Sequence, residues 1–182
     1  MTKAKTPKAR VATVWLDGCS GCHMSLLDID ERLILLADKI DLVYSPLVDA
    51  KDFPENVDVA IVEGAVSNTE DLHKIKLIRK NSRVLVSLGD CAVTGNIPSM
   101  RTVFPLQSLL DRVYDENATI NKKVPTKVVP KLLEQVHPLH EIVPVDVYVP
   151  GCPPSADTIF LAISELLEGR VPQLNEVTRF GA

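Results

Sequence analysis

Aromatic side chains are scarce in this sequence: one Trp, three Tyr and four Phe among 182 residues. Its core must therefore be built from Val, Leu and Ile. Basic charge is in deficit as well, with 20 Lys and Arg against 24 Asp and Glu and a net charge of −4. No basic face of the kind that grips a phosphate backbone is indicated, so nucleic acid is not an expected partner. Long apolar runs are missing, and none approaches the length of a membrane span. A secretory signal is missing too. The early Lys and Arg residues lead only into the short apolar stretch Val11 to Leu16, with no small-residue cleavage site and no twin-Arg pair. The protein is expected to stay in the cytoplasm. Stable disulfides are rare there, so its four Cys point to metal or redox chemistry.

Apolar residues make up 46% of the chain and charged residues 24%, the balance of an ordinary globular protein. Five short runs are nearly continuous in apolar residues, the mark of strands buried on both faces: 11–16, 41–45, 57–62, 83–88 and 145–149. Helical patterns lie between most of them. Leu26, Ile29, Leu33, Leu36 and Ile40 share one helix face. The segment 69–82 opens with Thr69 as a cap and with acidic residues, and ends basic, matching the helix dipole. The segment 105–117 starts on Pro105, and 155–170 runs from a Ser155 cap to a Gly169 stop.

Strands alternating with helices predict a parallel sheet with right-handed crossovers. Five of them predict an α/β, three-layer, flavodoxin-like doubly wound fold with strand order 2-1-3-4-5. The expected organisation is a flexible tail over 1–10, one domain over 11–170, and a C-terminal tail over 171–182 without a clear element. Within the domain, 118–144 carries four prolines and reads as a surface excursion with one short helix near Lys131 to Val136.

The four cysteines follow these strands. Cys19 and Cys22 come after the first, Cys91 after the fourth and Cys152 after the fifth. In a parallel sheet all these positions are carboxyl ends, where open α/β sheets bind ligands. Gly or Pro stands beside each of them, in "DGCSGC", "GDCAVTG" and "VPGCPP". A lone Cys is most often a small buried hydrophobe, but that explains four at one edge poorly. Cys19-Ser20-Gly21-Cys22-His23 also spells the attachment motif of a c-type haem. That reading, like a thioredoxin-type dithiol, leaves Cys91 and Cys152 unused. Four thiolates suit zinc, yet structural zinc typically takes two close pairs. An iron–sulfur cluster held by four Cys fits best. His23 then reads as a neighbour of the ligands or a surface residue. Ser20 reads equally as a hydrogen-bond donor to sulfur and as a turn residue.

The motifs "CSGCHMSLLD", "VEGAV", "GDCAVTGNIP" and "PGCPP", in this order, resemble the small subunit of nickel–iron hydrogenases over roughly 11–168. The resemblance implies a flavodoxin-like domain in which Cys19, Cys22, Cys91 and Cys152 hold one proximal 4Fe–4S cluster. It places the nickel–iron centre in a large-subunit partner. The chain has no extra Cys for further clusters, which is most like the small subunit of cytoplasmic, bidirectional NAD(P)-reducing hydrogenases. In those, iron–sulfur and diaphorase subunits carry FMN and NAD(P). The related respiratory complex I subunit has adjacent cysteines in its first motif, where Ser20 and Gly21 intervene here. The expected function is electron relay, and no catalytic residue is expected in this chain. The alternatives are a hydrogenase small subunit with another acceptor (deazaflavin, heterodisulfide reductase or polysulfide) and a flavodoxin-like flavin-binding module. The latter wants a phosphate-cradling loop after strand one, where Cys19 and Cys22 stand. Glu63, ending the third strand, suits a proton carrier or a contact to the large subunit, and equally a capping or loop-fixing carboxylate.

Overall fold

Five apolar runs form the strands of one parallel sheet, as expected: β1 (Ala9–Trp15), β2 (Ile40–Tyr44), β3 (Val57–Glu63), β5 (Ser82–Leu88) and β7 (Val147–Val149). The computed structural model describes residues 7–178 and residue 180. Sheet order is β2-β1-β3-β5-β7, the doubly wound arrangement. Register is continuous at the centre, where Val11 to Trp15 pair with Val59 to Glu63, and those with Val84 to Leu88.

Both faces of the sheet are covered, which is why its strands lack a polar alternation. Val11, Val59, Ile61 and Val86 pack on one side against α1 (Gly21–Leu27), α2 (Arg32–Ala37) and α7 (Ala156–Leu167). Ala12, Val14, Ala60, Val62 and Leu85 pack on the other against α3 (Thr69–Asn81). The Ser155 side chain accepts from the Thr158 amide and caps α7, and Gly169 follows it at φ 74°.

Several expectations need correction. The periodic run from Leu26 to Ile40 spans two helices, α1 and α2, separated by a turn in which Asp30 has φ 58°, and its last residue, Ile40, already opens β2. Its apolar residues still meet the core, because the turn keeps the face aligned. The cap of α3 is Asn68, whose side chain accepts from the amides of Glu70 and Asp71, and Thr69 is already helical. The helix expected near 131–136 is a strand, β6 (Leu132–His137), antiparallel to β4 (Val66–Asn68). That partner lies far away in sequence, and Arg101 fastens the ribbon by donating to the carbonyls of Ser67 and Leu133 at 3.0 and 2.9 Å.

Helix α6 (Leu106–Asp111) begins after Pro105 and runs on as a π-turn over Arg112–Glu116. Of the N-terminal tail expected over 1–10, Ala9 and Arg10 belong to β1, and residues 1–6 lie outside the described residues. In the C-terminal tail Leu174 is buried and Val177 accepts a bond from Thr158; residues 179, 181 and 182 lie outside the described residues.

Candidate metal centre

The loop after β1 is pressed against the loop after β3. Asp17 and Ala65 exchange backbone hydrogen bonds of 3.1 and 2.7 Å. Gly64, at φ 87°, is where β3 turns away, and a Cβ there would stand 2.8 Å from the Leu16 carbonyl carbon. Beyond this clamp Ser20 takes the left-handed conformation, φ 66°, and opens α1. That turn carries Cys19 and Cys22 to the carboxyl edge of the sheet. Cys91 lies in the first turn of α4 (Gly89–Thr94), directly after β5, and Cys152 lies in the loop after β7.

All four cysteines expected as ligands line one small cavity of about 80 Å³, together with Glu63 and Asp90. Their thiols are free; Cys19 and Cys152 are exposed, and Cys22 and Cys91 half-buried. Hydrogen bonds that need no metal hold the rim. Asp90 and Gly151 bond reciprocally, amide to carbonyl at 2.9 Å and amide to carboxylate at 2.7 Å. The Ser25 hydroxyl donates to the Pro154 carbonyl, tying α1 to the Cys152 loop. The Asn96 side-chain amide donates to the Cys152 sulfur at 3.4 Å.

Burial pushes the Cys22 thiol well above its ordinary range, reinforced by Glu63 and by Cys91 and Cys19. Cys91 is pushed up to about 11, first by burial and then by Cys152 and Cys19. Such crowding disfavours thiolates unless cationic metal offsets their charge. The residues fit an iron–sulfur cluster in two respects. The donors are four thiols. The backbone at Gly89 yields to sulfur, since a Cβ there would lie 2.2 Å from the Cys22 Sγ. Among the described residues no three His, Cys, Asp or Glu side chains are grouped to hold a single ion. In a cluster each of the four thiols binds a different iron.

Glu63 is buried, 2% exposed. Its Oε2 accepts from the His23 amide at 2.8 Å, so the capping role is realised at the first turn of α1. Its Oε1 has no hydrogen-bond partner among the described residues. His23 is buried rather than at the surface, between Glu63 and Thr13. Asp90, Asn96 and Ser25 lie within the quoted motifs, but nothing in the sequence pointed to their roles or to that of Thr13, because the contacts that build the site are tertiary. A second cavity, about 280 Å³, lies beyond β1 and β2 among Trp15, Tyr44, Lys51 and Lys74, and no cysteine lines it.

Residues 19–166 match the protein family described as NADH ubiquinone oxidoreductase, 20 Kd subunit. The chain belongs to this family. It is 41% identical over 168 residues to the delta subunit of the NAD-reducing hydrogenase HoxS of Cupriavidus necator, covering 90% of this chain and 80% of that one. It is 39% identical over 171 residues to a subunit of the vhu hydrogenase of Methanocaldococcus jannaschii, covering 93% of this chain but only 59% of the relative's length. A solved structure of an NAD+-reducing nickel–iron hydrogenase in the dihydrogen-reduced state superposes with a TM-score of 0.91 at 42% identity, covering 96% of this chain and 99% of that one. The chain is thus a component of an oxidoreductase complex, of the nickel–iron hydrogenase small-subunit type, as its motifs led one to expect. Among the described residues no helix is long and apolar enough to cross a membrane.

Proposed function

We propose that this chain relays electrons in a cytoplasmic hydrogenase, with Cys19, Cys22, Cys91 and Cys152 holding one 4Fe–4S cluster. The relay joins the nickel–iron centre of a large subunit to an NAD(P)-reducing diaphorase module carrying FMN. The observation that carries this reading is the convergence of four cysteines, from three separate strand ends, on one cavity. Such a cluster supplies reversible one-electron transfer. The chain's own residues position and shield it. Asp90 and Ser25 lock the cysteine loops together. Asn96 places a donor on the Cys152 sulfur, which favours the more negative, reduced state. The exposed residues Cys19 and Cys152 mark where a partner must cover the site against water and oxygen. Similarity to the HoxS delta subunit favours NAD(P) over the other acceptors.

Iron and acid-labile sulfide analysis of the anaerobically purified full chain tests the assignment. About four of each per chain are expected for one cluster. Each single Cys→Ala change should lose or degrade it. Stoichiometric zinc without iron, or a haem band that survives denaturation, would refute the assignment.

A further inference from the structure

Four polar side chains run in a line through an interior that is otherwise aliphatic. Ser45 and Thr13 are each 3% exposed, His23 5% and Glu63 2%. The Thr13 hydroxyl donates to the Ser45 Oγ at 2.9 Å. Thr13 Oγ1 lies 3.0 Å from the His23 Nε2. The other ring nitrogen, Nδ1, lies 3.1 Å from the Glu63 Oε2 but is not aligned with it as a hydrogen bond. Glu63 in turn lines the cysteine cavity and faces Cys22.

Burying these groups costs free energy that valines at the same positions would not. Such a chain is retained where it fixes one geometry. The oblique Nδ1 contact shows what is being fixed. With Nε2 anchored on Thr13, the imidazole cannot turn to satisfy Glu63 fully. The carboxylate then caps the His23 amide with one oxygen and leaves the other without a partner beside the cysteines.

We propose that Thr13, backed by Ser45, is a positioning residue for the cysteine site: through His23 it fixes the carboxylate of Glu63 against Cys22, and so sets the reduction potential of the group the cysteines hold. This rests on the cluster reading above. The Thr13 hydroxyl bonds to Ser45 and His23, so it acts from inside the sheet. Without its hydroxyl the ring is free to reorient, and the carboxylate changes its share of negative charge toward the cavity. A purely structural hydroxyl would lower stability and leave the potential alone.

The test uses the full chain reconstituted anaerobically with iron and sulfide, in parent, Thr13→Val, Thr13→Ser and Ser45→Ala forms. EPR-monitored redox titration should show a displaced midpoint potential and an altered reduced-state spectrum for Thr13→Val at parental iron content. Thr13→Ser should restore both, and Ser45→Ala should give a smaller displacement in the same direction. A parental potential and spectrum in Thr13→Val, with only the melting temperature lowered, would overturn the proposal. If Thr13→Val does not fold, Ser45→Ala decides alone, and a parental potential in that variant would overturn the proposal. Amide NMR of the metal-free chain separates the two readings. The His23 amide resonance should move in Thr13→Val whether or not iron is ever bound, and its constancy would also overturn the proposal. A parent chain that takes up no iron would instead defeat the cluster assignment.

Discussion

The alpha carbon of Gly89 faces the sulfur of Cys22 so closely that a Cβ at residue 89 would stand 2.2 Å from it. Gly89 also holds φ 80°, where L side chains are strained. The two residues lie in the first turns of α4 and α1, more than sixty positions apart, so the contact is a tertiary requirement of the site. Gly89→Ala should therefore displace Cys22 and abolish cluster retention. Its backbone strain should cost about 1–3 kcal/mol of stability. Iron content and thermal melting, measured together, check this; full iron occupancy in the variant would contradict it.

In the metal-free chain the cysteines should differ in reactivity. Cys19 and Cys152 are exposed, whereas Cys22 and Cys91 are half-buried with raised thiol pKa values. Peptide mapping after brief iodoacetamide treatment at pH 8 should find the first two modified ahead of the second two. The sign of the stability effect follows. A thiol raised in the folded state from 9.0 to about 11, as at Cys91, leaves stability intact below pH 9 and erodes it as pH climbs toward 11. Melting temperatures of the metal-free chain should fall across that window, with Cys91→Ala falling less.

Asn96→Asp tests the bond to Cys152. The change keeps the side-chain shape and the tolerance for φ 35° but replaces donor N–H groups with an acceptor. Loss of an N–H···S bond and added negative charge both disfavour the reduced cluster. The midpoint potential should become more negative, with iron content unchanged. A potential equal to the parent's would show that this bond does not tune the site.

Glu63→Gln separates charge from capping. The amide oxygen of Gln can still accept from the His23 amide, so α1 stays anchored. If Glu63 carries protons or contacts the large subunit, turnover, its pH profile or subunit association should change. All three unchanged would refute proton transfer and large-subunit contact, leaving Glu63 its cap on α1 and its place beside Cys22.

Partner requirements follow from the number of ligands. On the proposed assignment the four Cys serve one cluster and leave none for a second. The chain with its large subunit should reduce a small artificial dye with dihydrogen. It should reduce NAD(P) only when a diaphorase module is added. NAD(P) reduction by the two-subunit complex alone would refute this division of labour.

The sheet was legible in the sequence because parallel strands buried on both faces leave unbroken apolar runs, as in 57–62 and 83–88. The cysteine site was legible for the same reason: known strands have known carboxyl ends. Elements fixed by non-local contacts were not. Leu132–His137 carries apolar residues at Leu132, Leu133 and Val136, a spacing a helix also uses, and pairing with Val66–Asn68 makes it a strand. The break between α1 and α2 left the apolar spacing intact, so periodicity could not reveal it. The Ser45–Thr13–His23–Glu63 chain joins four separate segments, and no local pattern encodes it.

The cysteines are distributed along the chain from residue 19 to residue 152. At ordinary rates of translation Cys19 leaves the ribosome on the order of ten seconds before Cys152. A group held by all four cannot be completed on the nascent chain until its last strand has been made. The reciprocal bonds of Asp90 with Gly151, and that of Ser25 with Pro154, wait for the same moment, since Gly151 and Pro154 follow β7. On the proposed cluster assignment, iron and sulfide are therefore delivered to a chain whose thiol-bearing loops have all been made.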